Sequence, residues 1–132
     1  MKYMLDTHTW VWWHMNPKKL SKNVKKIIGS AGQYDEMLLS AISPWEFSKL
    51  LEKKRIGISC DPEDWINTAL DMPKLRLVPL SPALAYRSTI LPQPFHRDPA
   101  DQIIVATARE ENATVLTKDD RILTYKNVRS LW

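Results

Sequence analysis

Apolar and polar positions alternate in blocks along this chain, and the period of the blocks switches repeatedly between that of a strand and that of a helix. Residues 2–5, "KYML", form a short mostly apolar run that predicts a first strand, ending on Asp6. Residues 8–15 predict a short helix with Trp10, Trp12, Trp13 and His14; Trp10 and Trp13, three apart, share a face suited to core or dimer packing. Ser21 is placed to cap a helix over 22–29, closed by Gly29. The apolar run "MLLSAI" (37–42) predicts a buried strand. "SPWEFSKLLEKKR" follows as a helix with Ser43 at N-cap, Pro44 at N1 and Glu46 at N3. "DPEDWINTALDM" repeats that start signal at 61–64, and "LRLVPL" (75–80) predicts a third strand. A helix begins at Ser81-Pro82 and a longer one at "DPADQIIVATAREE". "TVLT" (114–117) predicts a fourth strand and "NVRSL" (127–131) a fifth. Strands alternating with helices predict the α/β class: a central parallel sheet covered on both faces, a three-layer α/β/α domain.

The length of 132 residues suits one domain spanning 1–132, and 44% hydrophobic content is enough for one core. Nine Pro against three Gly suggest well-punctuated elements rather than a linker. The single cysteine, Cys60, excludes an internal disulfide and is expected to be a small, partly buried residue. No stretch approaches the ~20 apolar residues of a membrane span, and no signal-peptide pattern opens the chain, so a cytoplasmic location is expected. The net charge of +4 permits a nucleic-acid partner. Much of the excess lies in two helical stretches, Lys18, Lys19, Lys22, Lys25 and Lys26, then Lys49, Lys53, Lys54 and Arg55.

The predicted topology changes the meaning of the acidic residues. In open α/β sheets, sites gather beyond the carboxyl ends of the strands. Asp6 ends the first strand, Glu46 lies one turn after the second, and Asp119 and Asp120 follow "TVLT". Asp101 opens the helix that leads into "TVLT"; that helix runs antiparallel to the strand, so its N-terminus returns to the same edge. Each acid has a local explanation as a cap or a solvated turn. Together they do not: two carboxylates ~5 Å apart at an effective dielectric of ~20 repel by about 3 kcal/mol. Such a group must protonate or bind a cation. Oxygen-only ligands suit Mg²⁺ or Mn²⁺, and phosphodiester hydrolysis is chemistry such an ion supports.

The stretches "MLDTHTWVW", "SAISPWEFSKL", "HRDPADQIIVATA" and "VLTKDDRI" resemble the motifs of PIN domains, and most of all the VapC-type toxins of toxin–antitoxin pairs. The resemblance runs in the expected order from residue 3 to 131. It implies a central parallel sheet, an acidic Mg²⁺ or Mn²⁺ site, endoribonuclease activity on RNA, a homodimer, and inhibition by a cognate antitoxin protein. Carried over by position, the metal-site and catalytic acids fall on Asp6, Glu46, Asp101 and Asp119. Asp6 and Asp101 are expected closest to a first ion, with Glu46 and Asp119 acting directly or through water. Asp98 suits an N-cap with a supporting place outside the direct ligands, and Asp120 is expected to be solvated. Thr7 and Thr117 are placed either to orient a carboxylate or water or to bond the backbone locally. Arg97 and Lys49 are candidate substrate contacts, with a surface ion pair the other reading of Arg97. His8 is expected to be exposed or in the core rather than on substrate, and Trp45 to brace the site from beneath. The same resemblance makes Asp61 and Asp64 capping residues of a peripheral helix. The implied function is the toxin component of a type II toxin–antitoxin pair. A DNA or structure-specific nuclease, or a non-catalytic RNA- or protein-binding module, are the other readings of the same residues.

Overall fold

The computed structural model describes residues 1–30 and 35–132. The chain runs β1 (Lys2–Leu5), α1 (Thr7–Met15), a 3-10 turn (Pro17–Lys19), α2 (Lys22–Ser30), β2 (Glu36–Ser40) and α3 (Ile42–Glu52). It continues with α4 (Pro62–Leu70), β3 (Leu75–Val78), α5 (Pro82–Arg87), α6 (Pro99–Glu110), β4 (Thr114–Leu116), α7 (Asp120–Leu123) and β5 (Ser130–Leu131). The strands form one sheet in the order β3-β2-β1-β4-β5, and every pairing is parallel.

The side-chain period of two divides the core between the faces of this sheet. Met4, Leu38 and Val115 point to one face and pack with Leu84 of α5 and Ile104, Val105 and Ala108 of α6. Leu5, Met37, Leu39 and Leu116 point to the other and pack with Trp10 and Val11 of α1, Val24 of α2, Phe47 of α3 and Ala69 of α4. This is the expected three-layer arrangement. Strands buried on both sides explain why the sequence shows continuous apolar runs there. Trp10 is fully buried, edge-on to Phe47 and Trp65, while Trp13 is only half-buried.

The expected caps form at three helices besides that of Ser21 on α2: Asp61 Oδ2 accepts from Asp64 N (3.1 Å), Ser81 Oγ from Leu84 N (3.1 Å) and Asp98 Oδ1 from Asp101 N (3.1 Å). Ser43 is a correction. β2 runs through Ala41 directly into α3, so the helix starts at Ile42, before the Ser-Pro pair, without a side-chain cap on Ala41. Ser40 Oγ instead accepts from Ile42 N at 3.2 Å, and Pro44 falls within the first helical turn, where its missing N–H costs nothing. Glu46 is thereby free of the capping box. Other boundaries also shift: Gly29 lies inside α2, β2 ends at Ser40, β3 at Val78, and β5 shortens to two residues. Cys60 is exposed rather than partly buried, because it lies in the irregular segment between α3 and α4.

Candidate active site

β1 lies between β2 and β4, and the chain's direction of winding reverses there; such a switch point opens a crevice beyond the strand ends. Asp6 leaves β1 at that point and caps α1, its Oδ1 accepting from Thr7 N at 2.8 Å. Its Oδ2 accepts from Thr117 Oγ1 at 2.6 Å; Thr117, fully buried after β4, also accepts from Asp119 N at 3.0 Å. Thr7 Oγ1 donates to Glu46 Oε1 at 2.5 Å and lies 2.8 Å from Ser43 Oγ. Both threonines therefore hold carboxylates in place rather than only closing local turns. α6 returns antiparallel and brings Asp98 and Asp101 to the same edge. Asp6, Glu46, Asp98, Asp101 and Asp119 all line one cleft of about 760 Å³.

At the acids two sets of side chains each bring their potential ligand atoms within 4.8 Å of one another: Glu46, Asp98 and Asp101 in one, His96, Asp101 and Asp119 in the other. Asp101 belongs to both. Asp6 lies outside both groups but lines the same cleft, and its charge acts on both Glu46 and Asp101. The Thr7 amide and the Thr117 hydroxyl each engage one of its oxygens, and each oxygen keeps a further lone pair. Asp98 caps α6 and also offers a carboxylate oxygen within 4.8 Å of those of Glu46 and Asp101.

Burial and crowding act together on these acids. Burial, the larger cause, and the charges of Asp6, Asp101 and Asp98 push Glu46 up to about 7 against the pull of the Thr7 hydrogen bond. Asp101 is pushed up to about 6, again chiefly by burial, with His96 opposing and the neighbouring carboxylates adding to the rise. Burial also raises Asp6 despite the Thr117 and Thr7 hydrogen bonds. Asp119 goes the other way: burial pulls it upward, but hydrogen bonds from Arg121 and the charge of its guanidinium leave it below the usual carboxylate range.

His96 and Arg121 are the site residues that sequence reasoning missed. His96 Nε2 lies 2.6 Å from Asp101 Oδ2, so an imidazole stands beside the acids. Arg121 forks Asp119 through Nε (3.2 Å) and Nη2 (3.0 Å), and Nη2 reaches Asp101 Oδ2 at 3.5 Å. "KDDR" carries a signal for this contact only once α7 is known to start at Asp120 with Asp119 as its N-cap, whose Oδ1 accepts from Arg121 N at 2.9 Å. Lys49 lines the cleft, as does exposed His8, whereas Arg97 is exposed and lies outside the lining. Trp45 is also a correction. It is 53% exposed and lines the cleft, because the buried side of α3 carries Ser43 and Phe47 and Trp45, two residues from each, falls on the outward side. Asp120 is exposed, and Asp61 and Asp64 sit on α4 away from the cleft.

Comparison with known proteins follows the same lines. The family model described as "PIN domain" matches residues 3–128. The curated protein Ribonuclease VapC22 of Mycobacterium tuberculosis is 33% identical over 126 residues, covering 96% of this chain and 93% of that one. Among solved structures, VapBC2 from Rickettsia felis bound to a promoter DNA fragment superposes with a TM-score of 0.69 at 18% identity, covering 99% of this chain and 98% of that one. A toxin–antitoxin complex from Klebsiella pneumoniae gives 0.64 at 19% identity, with 96% and 94% coverage. These two likenesses concern the fold.

Proposed function

The chain belongs to the PIN domain family, and from that premise we propose that it is the toxin component of a type II toxin–antitoxin pair, an endoribonuclease that hydrolyses RNA phosphodiester bonds with Mg²⁺ or Mn²⁺. The observation that carries the reading is the convergence of Asp6, Glu46, Asp101 and Asp119, from four distant stretches of sequence, on one cleft. Two of these carboxyl groups are pushed well above their ordinary range by burial and mutual repulsion. Such a group is stabilised by a cation, and clustered carboxylate oxygens with one imidazole fit a hard divalent ion, the nitrogen being acceptable to Mn²⁺. When bound, the ion would activate water and neutralise charge on the phosphate oxygens.

Asp6 and Asp101 would approach that ion most closely, with Glu46 and Asp119 acting directly or through water and Asp98 and His96 adjoining. Thr7 and Thr117 keep Glu46 and Asp6 from rotating away. His96 fixes the rotamer of Asp101. Arg121, a guanidinium at the open side of the acids, is suited to a phosphate once cations share its carboxylates. Lys49 adds charge on the opposite wall. No described helix is long and apolar enough to cross a membrane, and action on RNA agrees with a cytoplasmic setting. The proposed partners are RNA, a cognate antitoxin and a second copy of the chain; exposed Leu77, Leu80, Tyr86 and Ile90 offer apolar surface for protein contacts.

The test is cleavage of a labelled RNA panel, with matched DNA, in Mn²⁺ or Mg²⁺ and in EDTA. Wild type should cut RNA only with the ion, and Asp6→Asn and Asp101→Asn should lose activity by orders of magnitude while staying folded. Cleavage that persists in excess EDTA, or in both variants at near wild-type rate, would refute the mechanism. DNA cleavage without RNA cleavage would favour the other nuclease reading.

A further inference from the structure

Of the large apolar side chains that are exposed among the described residues, Trp45 alone lines the cleft. It occupies the position next to Glu46 on α3, so its ring stands at the mouth beside the acids. Lys49, four residues on, shares that face of the helix, its Nζ 5.8 Å from the Trp45 ring centroid. Lys53 continues the line, and Arg55 follows. The helical rise spaces Trp45, Lys49 and Lys53 about 6 Å apart along the axis. The deeper part of the cleft is acidic, with Asp6 and Asp101 buried, whereas Lys53, Arg55, Lys118 and Arg121 are exposed around it.

From this arrangement we propose that Trp45 and Lys49 form a nucleotide subsite, in which an unpaired base stacks on the Trp45 ring and Lys49 holds the adjoining phosphate. The proposal rests on the ribonuclease reading and names the groups that position its substrate. An exposed indole offers a stacking face to any base, and cations beside it follow the backbone. Lys49 is available for this role because its present partner, Glu52 at 3.0 Å, forms an exposed pair of little strength. Lys49 stands over the Trp45 ring, and Glu46, Lys53 and Arg55 line the same cleft together with Trp12 and Leu50, whereas exposed Leu77, Leu80, Tyr86 and Ile90 lie outside it. A base stacked on Trp45 sets the chain running from the cationic wall of α3 toward Glu46 and Asp101. A duplex cannot use the ring, because its bases are already stacked on one another.

The experiment is fluorescence anisotropy of an end-labelled single-stranded oligoribonucleotide and of its duplex in EDTA, where no cleavage intervenes, alongside Mn²⁺-dependent cleavage kinetics. Trp45→Ala should weaken single-strand binding about tenfold and raise KM with little change in kcat, leaving duplex binding unchanged. Trp45→Phe should restore most of the affinity. Lys49→Ala should weaken both RNAs and reduce the log–log salt slope by about 0.7. Since Trp45 is exposed, the Ala variant should melt with wild type. Single-strand affinity within twofold of wild type in folded Trp45→Ala overturns the subsite but leaves the nuclease reading standing if cleavage continues. The same result with loss of antitoxin retention assigns the ring to the protein interface instead. Wild type that neither binds nor cuts RNA overturns both proposals.

Discussion

Replacing Glu46 by Gln should make the metal-free protein more stable, although it removes a group from the candidate site. Glu46 is half-buried and faces Asp6, Asp98 and Asp101, and its carboxyl is pushed from 4.5 to about 7. A raised acid favours its protonated form in the native state. The stability this contributes is complete below about pH 4.5 and is lost as the pH rises through about 7, where the native protein must ionise a group that prefers to stay neutral. At about 1.4 kcal/mol per pH unit the full shift corresponds to about 3 kcal/mol; solvent reaching the cleft reduces this to about 1–2 kcal/mol. Gln keeps the acceptor for Thr7 Oγ1 and stays neutral throughout. In EDTA at pH 8, Glu46→Gln should therefore melt roughly 3–10 °C above wild type. The gap should close near pH 4.5. Saturating Mn²⁺ at pH 8 should narrow or reverse it, because wild type gains more from binding. Thermal melts across pH, with and without Mn²⁺, check each arm. A variant that melts at or below wild type in EDTA at pH 8, or a gap equal at both pH values, would show that the acids are not under electrostatic stress.

Thr117→Val removes the hydroxyl that donates to Asp6 and accepts from Asp119 N, at nearly constant volume; it should cost about 1–3 kcal/mol in a denaturant titration and lower cleavage along with it. Arg121→Ala removes the guanidinium that competes for Asp101 and Asp119, so calorimetry should show tighter Mn²⁺ binding together with weaker RNA binding; unchanged Mn²⁺ affinity would rule out competition. Asp61→Ala should cost about 0.5–2 kcal/mol through the lost cap on α4 and leave turnover of the folded fraction unchanged, whereas Asp101→Ala should abolish turnover at little cost in stability. Loss of cleavage in Asp64→Asn but not in Asp101→Asn would place the third acid wrongly.

The sequence by itself determined the strand–helix alternation, the two buried faces of the sheet and the meeting of acids at its carboxyl edge. These follow from local information: runs of apolar residues, Asp-Pro and Ser-Pro starts, and the rule that parallel strands share one active edge. It also determined which of two matching "DP-x-D" starts lies away from the cleft, but only through the resemblance of the whole chain to a family, since Asp64 and Asp101 are locally alike. The side chains that hold each acid in place emerged only from the folded chain. Whether Ser43 caps a helix or meets Thr7 depends on how β2 enters α3. That Thr117 holds Asp6 depends on the pairing of β1 with β4, 111 residues apart in sequence. The roles of His96 and Arg121 were equally out of reach, because each contact is made by a side chain whose direction is set by a loop or a single-turn helix. Local pattern specifies the period and the ends of elements. Which side chain meets which across an edge is a matter of packing, and packing joins residues that no sequence window contains.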